Sequence, residues 1–319
     1  MRIPITVGLH LPNFTYPHVA GDQLFAKVIE LAETLERSGY SSISAMDHLH
    51  QIAPVGPPQD NMLEGSTLLG AIAARTTKLS LGLLVGSVTY RNPALAAKVT
   101  STVDLISGGR AWHGIGAGWF EEEHVAYGYD FPSLATRFEM LEEALQIQKA
   151  MFRGESIEFH GKHFRIERPY NNPVPMRGDI PVLIGGSGER KTLRLVAKYG
   201  DGCNLFGDPT RVKHLLGVLR DHCETVGRDY AQITKTTLGV IVIGATHEQA
   251  RAQVARAIER GLPAERLSAA ICGDPDTVGE MLAAYSEVGV EGVCFSVPEP
   301  WNLETVELAG RTAAAVFGS

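Results

Sequence analysis

The sequence predicts an α/β chain wound into a (β/α)8 TIM barrel, and three observations carry that prediction. Apolar, strand-like runs alternate with amphipathic helical stretches from one end to the other, the pattern of a parallel sheet with crossover helices. About eight such strand–helix units can be counted, the number that closes a barrel. The 319 residues are 44% hydrophobic and 20% charged, enough apolar material for one large core. Barrels of this length are commonly one unit, so residues 1–319 are read as a single domain.

Taken in order, the strand-like runs fall at Ile3–His10, Ser41–Asp47, Leu79–Ser87, Arg110–Ile115, Ile180–Ile184, Gly202–Leu205, Thr236–Ile243 and Gly292–Val297. A helical pattern follows each. Asn92-Pro93 opens the helix after the third strand, with Asn92 as cap and Pro93 at the first helical position. Phe138, Leu141, Leu145 and the run Ile147 to Met151 share one helix face after Arg137; Thr192, Leu193, Leu195, Val196 and Tyr199 share another. The surplus over a minimal barrel of about 250 residues sits mainly between strands four and five, where Ser156–Ile166 looks like a small hairpin.

Composition narrows the function. A formal charge of −7 with scattered Lys and Arg argues against nucleic acid or an anionic membrane as the main partner. No run approaches eighteen uninterrupted apolar residues, and the start Met1-Arg-Ile-Pro-Ile-Thr is no secretory signal, so a soluble cytoplasmic protein is expected. Cys203, Cys223, Cys272 and Cys294 are widely spaced without Cys-x-x-Cys pairs, which favours buried reduced thiols over a disulfide frame or a zinc site.

The stretch Leu183–Asn204 reads as strand, glycine-rich turn, helix and strand in quick succession. Gly185, Gly186 and Gly188 let the backbone bend and approach a ligand closely, and free N–H groups at the following helix start suit an anion, above all phosphate. It is not a Walker loop, since Arg190 stands where Gly is needed ahead of Lys191-Thr192, and the Rossmann glycine spacing is absent. An ordinary strand-to-helix turn is the competing explanation. In barrels the chemistry collects at the carboxyl ends of the strands. Those ends carry His10-Leu-Pro-Asn13, Asp47-His48-Leu-His50, Tyr90-Arg-Asn-Pro93, Gly114-Ile-Gly-Ala-Gly-Trp119 and the glycine turn itself.

With these residues in hand, the chain resembles the bacterial luciferase-like family of flavin- and deazaflavin-dependent oxidoreductases. The resemblance covers most of the chain. Its carriers are Asp47-His48, Tyr90-Arg-Asn-Pro93, Asp104-Leu-Ile-Ser-Gly-Gly-Arg110, Gly114-Ile-Gly-Ala-Gly-Trp-Phe-Glu-Glu-Glu123, Arg137-Phe and Gly185-Gly-Ser-Gly-Glu-Arg190. Gly8–Tyr16 and Gly118–His124 look closest to an actinobacterial branch that uses coenzyme F420. The resemblance implies a luciferase-like barrel with the cofactor ring in its mouth and the cofactor phosphate on Gly185, Gly186, Ser187, Gly188 and Glu189, mostly through backbone N–H groups, with Arg190 adding charge. It also implies a non-proline cis peptide at Leu84-Val85 against the ring, and a homodimer.

In such a site the cofactor carries the hydride, and the protein must hold the ring, dispose of a proton and admit a small-molecule substrate. His48 is the first choice for the proton, because imidazole titrates near neutral pH and the strand-two end would aim it at the ring. A structural histidine in a polar mouth is the competing role. His10 is a second, weaker candidate for the proton and would line the substrate pocket. Asp47 is expected to orient backbone or a histidine. Gly116, with Gly114 and Gly118, permits close approach beneath a flat ring, although helix–sheet packing explains glycines equally well. Glu121–Glu123 reads as a solvated face or the acidic first turn of a short helix, not as catalytic.

Sugar-phosphate dehydrogenases of this family carry a Trp after the strand-two histidine and a Glu after the strand-four glycines; Ile52 and Trp119 stand here instead. A pocket lined by Ile52, Trp119, Phe120 and Phe14 suits a neutral unsaturated or aromatic substrate, with Gln51–Asp60 as a lid. The expected activity is F420-dependent hydride transfer to an unsaturated or carbonyl compound. FMN with an oxygen-using monooxygenase reaction is the alternative. Two other classes remain: a metal hydrolase using Asp47-His-Leu-His50, disfavoured because strands five, six and eight supply no further ligands, and a cofactor-binding subunit without activity.

Overall fold

The computed structural model describes residues 1–318. Its parallel strands run β1 (Val7–Leu11), β2 (Ser42–Ala45), β3 (Ser80–Leu83), β4 (Gly86–Ser87) and β5 (His113–Gly116). A two-stranded antiparallel hairpin follows, β6 (Glu158–His160) with β7 (Arg165–Glu167). The chain then continues through β8 (Val182–Gly185), β9 (Gly202–Leu205), β10 (Thr234–Ile243), β11 (Ile271–Gly273) and β12 (Gly292–Ser296).

Around them lie α1 (Gly21–Leu35), α2 (Gly65–Arg75), α3 (Pro93–Ser107), α4 (Glu121–Tyr127), α5 (Leu134–Phe152) and α6 (Thr192–Tyr199). Completing the ring are α7 (Pro209–Val226), α8 (His247–Glu259), α9 (Ala264–Ser268), α10 (Pro275–Glu287) and α11 (Leu303–Phe317).

The strands pair in the order β3-β2-β1-β12-β10-β9-β8-β5-β4. Closure comes at Leu81: its N–H donates to the Arg110 carbonyl at 3.1 Å, and the Trp112 N–H donates to the Leu81 carbonyl at 2.9 Å. Since β3 and β4 are two pieces of one barrel staff, eight staves result, as the sequence predicts. Every residue of β1, β2, β9 and β12 is buried, the polar Ser42, Ser44, His10, Asn204 and Ser296 included, as expected of parallel strands covered on both faces.

Most strand ends differ from expectation by one to three residues, and three departures have a physical reason or add an element. The first strand starts at Val7, because Pro4 has no N–H for a ladder, and Ile3 and Ile5 pack instead inside the barrel with Leu84, Trp112, Leu183 and Cys294. The third run is interrupted at Leu84–Val85, whose peptide bond is cis. A strand not foreseen, β11, pairs with the outer half of the long β10.

Close approach requires glycine at two points of the barrel floor. A Cβ on Gly82 would stand 2.4 Å from the Trp112 ring, and one on Gly114 1.9 Å from the Leu83 carbonyl oxygen. Local signals hold at the helix starts: the Asn92 carbonyl oxygen Oδ1 accepts the Ala94 N–H at 2.9 Å with Pro93 following, and Asp208 caps α7 through the Arg211 N–H at 2.9 Å. The Asp104–Arg110 motif is structural. Buried Asp104 accepts the Ala111 and Met176 N–H groups, while Arg110 donates to the carbonyls of Ala73, Thr76 and Leu79. The cysteines are free; three are buried and Cys272 is half-buried.

Candidate active site

A cavity of about 420 Å³ opens where the strands end, and seven of the residues expected at the site line it: His10, His48, Leu84, Val85, Gly116, Gly185 and Gly186. They come from barrel staves one to five, so closure of the sheet brings them together. Ser187, Gly188 and Glu189 continue the turn beyond the cavity wall.

His48 leaves the end of β2 with its ring edge-on to Trp119 and Phe120, at centroid distances of 5.6 and 5.7 Å. Its Nδ1 lies 3.0 Å from Oε2 of Glu123. The same carboxylate accepts the His50 N–H at 3.0 Å, the Leu49 N–H and the Tyr90 hydroxyl. Glu123 is fully buried. Burial alone would raise its pKa, but the bonds from His48, Tyr90, Leu49 and His50 overcome that and hold it at about 2. An ionised acceptor assigns the ring proton of His48 to Nδ1 and leaves Nε2 as the reactive nitrogen.

Glu121–Glu123 form the acidic first turn of α4, one of the two expected readings, but the solvated-face reading fails at Glu123, which is buried while Glu121 and Glu122 are exposed. Counted from the N-cap Phe120, Glu123, His124 and Tyr127 fall at i+3, i+4 and i+7, of which Glu123 and His124 are buried, and that spacing is the signal that could have found Glu123. His124 is buried too, with Nδ1 2.7 Å from the Phe120 carbonyl oxygen and Nε2 2.6 Å from Thr89 Oγ1. The Tyr127 hydroxyl donates to the Leu49 carbonyl at 3.1 Å. α4 thus clamps the segment that carries His48.

Asp47 points away from His48. Its Oδ2 accepts the Ser87 N–H at 3.0 Å and the Arg91 guanidinium at 2.8 Å, so it orients backbone but no histidine. Burial raises its pKa while Arg91 opposes the rise. His10 is buried with Nδ1 3.0 Å from Ser44 Oγ. Burial, then the charges of Arg266 and His48, lower its pKa to about 3, so it is neutral at the cavity wall. His50 Nδ1 faces the Gln51 carbonyl oxygen at 3.1 Å. Asp47, His48 and His50 diverge, and among the described residues no cluster of three His, Cys, Asp or Glu is placed to hold a metal.

The apolar walls partly follow expectation. Ile52, Trp119 and Phe120 line the cavity, whereas Phe14 is a core residue and does not reach it. The Gln51–Asp60 loop is anchored: the buried Gln51 side chain donates to the Pro12 carbonyl at 2.9 Å, and Ile52 and Val55 pack on Met46.

Val85 packs between Gly116, expected beneath a ring, and Gly185, expected at the phosphate. A Cβ on Gly185 would lie 2.8 Å from both Val85 methyls, and one on Gly116 3.0 Å from Val85 Cγ2. Beyond them the turn offers a row of donors: among the described residues, no protein acceptor takes the N–H groups of Ser187 through Lys191. The Ser187 hydroxyl accepts the Phe206 N–H at 2.9 Å. The Glu189 carboxylate turns outward to Arg211 at 2.8 Å and His214 at 3.2 Å, which leaves only its backbone facing the turn, and Arg190 is exposed. Among the described residues, two buried acceptors on the cavity wall, Asp47 Oδ1 and Asn204 Oδ1, have no partner. Donor row, close-packed floor and orphan acceptors fit a flat, polar-edged ring carrying a phosphate.

The sequence profile of the luciferase-like monooxygenase family matches residues 5–292. An F420-dependent glucose-6-phosphate dehydrogenase of Segniliparus rotundus is 24% identical over 318 residues, covering 90% of this chain and 92% of that one. The F420-dependent tetrahydromethanopterin reductase of Methanopyrus kandleri superposes with a TM-score of 0.78 at 19% identity, covering 98% and 99% of the two chains. The oxygenating constituent of 3,6-diketocamphane monooxygenase from Pseudomonas putida, in complex with FMN, gives 0.76 at 19% identity over 98% of each. The structural likenesses speak to the fold. On the profile match, the chain belongs to the luciferase-like monooxygenase family.

Proposed function

We propose that this chain is an F420-dependent oxidoreductase that moves a hydride between the deazaflavin and a small unsaturated or carbonyl compound. One observation carries the reading: His48, its Nδ1 fixed by the buried Glu123, shares a cavity with the Val85 floor and with Gly185 and Gly186, from which the glycine turn continues into its unsatisfied donors. When bound, F420 supplies the hydride chemistry. The chain's own residues do the rest. The N–H groups of Ser187 to Lys191 hold a phosphate, and Val85, packed on Gly116 and Gly185, supports a ring face. His48 Nε2 takes or gives the proton, and the Glu123 carboxylate balances the charge that this creates. Trp119 and Phe120 keep water from the substrate side. Residues 1–319 are read as one domain, acting as a cytoplasmic homodimer, for which molar mass in solution is the check.

FMN with a monooxygenase reaction is the second reading, favoured by the FMN-bound neighbour of the same fold. Titrating the purified, cofactor-free protein with F420 and with FMN, following the quenching of each fluorescence, separates the two. Tight F420 binding with weak FMN binding supports hydride transfer; the reverse moves the chain to the oxygen-using branch. Binding of neither removes the phosphate-site assignment.

A further inference from the structure

A second cavity, of about 290 Å³, is lined two or three positions further along the chain than the first. The two share walls in sequence: His10, Ile52 and Leu238 line the first, while Pro12, Val55 and Val240 line the second. Arg266, on α9, reaches into this second space, where its Nη1 donates to the Pro54 carbonyl at 3.0 Å and Nη2 to Ser296 Oγ at 3.3 Å. Among the described residues no carboxylate oxygen comes within 4.0 Å of it, the limit for an ion pair. Its neighbour Arg260 is satisfied by Glu299 at 2.9 Å and lies over the Trp301 ring. Asp60, on the same wall, is bound by the Asn13 amide at 3.2 Å.

A half-buried guanidinium held by two neutral acceptors keeps unused donors and its full charge, since arginine does not deprotonate in this setting. We propose that Arg266 receives a carboxylate on an otherwise apolar substrate, which spans from the first cavity into the second. The proposal rests on the reading of the first cavity as the reaction site. Position separates this anion from the cofactor phosphate. Arg266 stands against the end of β12 and the loop after β2, whereas the glycine turn follows β8. In the closed strand order β8 and β12 are separated by β9 and β10, so the two anion sites occupy different sides of the mouth. The expectation of a neutral substrate changes accordingly: the apolar wall takes the body of the molecule and Arg266 its charged end.

The test is calorimetric titration of the intact protein with benzoate and with its neutral isostere benzamide, in the wild type, Arg266→Gln and Arg266→Lys. Benzoate is expected to bind the wild type about tenfold more tightly than benzamide. Arg266→Gln removes the difference, Arg266→Lys keeps part of it, and F420 affinity, read separately by fluorescence, stays the same in all three. Equal binding of the pair, absence of benzoate binding, or a preference that survives Arg266→Gln would overturn the proposal. So would a fall in F420 affinity in Arg266→Gln, which assigns the guanidinium to the cofactor instead. A wild type that prefers benzoate but binds no F420 would sink the proposed function and leave this anion site standing.

Discussion

His48 Nδ1 and Glu123 Oε2, 75 positions apart in the chain, meet at 3.0 Å in a site where the carboxylate has no exposure to solvent. The contact fixes the histidine tautomer and the direction of Nε2. It also joins the second barrel stave to α4, so that the chemistry and the packing of the mouth depend on one carboxylate.

Glu123→Gln keeps the volume but removes the charge that balances an imidazolium. Turnover with reduced F420 and the substrate found by screening is expected to fall roughly 10²-fold, with a changed pH profile and unchanged F420 affinity. A variant of wild-type kcat would remove Glu123 from the mechanism. Glu123→Ala should also lose about 3 kcal/mol of stability, because the Leu49 and His50 N–H groups and the Tyr90 hydroxyl are left without their acceptor. Urea unfolding measures it.

Gly185→Ala places a methyl 2.8 Å from both branches of Val85, so Val85 must be pushed into the cavity. F420 affinity should drop by about tenfold. Adding Val85→Ala, which makes room, should recover most of it; no recovery would mean that the floor is not what the glycine protects.

Arg91 bridges Asp47 at 2.8 Å and Glu64 at 2.6 Å, and although burial works against its charge, the two carboxylates raise its pKa. Arg91→Met leaves Asp47 buried and unpaired, at an expected cost of about 3 kcal/mol. The double variant Arg91→Met with Asp47→Asn should be more stable than the single one. Thermal unfolding of the three proteins decides it.

His10 and His113 make stability depend on pH. Burial, with Arg266 and His48, lowers His10 to about 3; burial lowers His113 to about 4, against the Gln148 hydrogen bond and helped by Arg91. The unfolded chain takes up these protons near pH 6.5, while the folded chain resists until pH 4 to 3. Their contribution is therefore complete above about pH 6.5 and is lost as the pH falls toward these folded values. The urea midpoint should decline between pH 7 and 4.5, and His113→Asn should decline less steeply. Equal slopes would show that His113 does not drive the loss.

The sequence by itself determined the strand–helix alternation, the Asn92-Pro93 helix start, the Gly202–Leu205 strand and the glycine turn, because each is written in the periodicity or capping chemistry of a few adjacent residues. It also named His48, since a strand-end histidine is visible once the strands are placed. Only the tertiary structure decided the fates of Phe14, Glu123 and Arg266. Phe14 turned to the core because aromatic area is buried wherever the packing admits it, and spacing alone does not say where. Within Glu121–Glu123, three identical neighbours end in different surroundings, because whether a charge is solvated or buried depends on the partners that the docking of α4 brings to it. Among the described residues Arg266 has no carboxylate partner, since Asp60 on the same wall is bound by Asn13 and Glu299 is taken by Arg256 and Arg260, a property of the whole barrel mouth and of no local stretch of sequence.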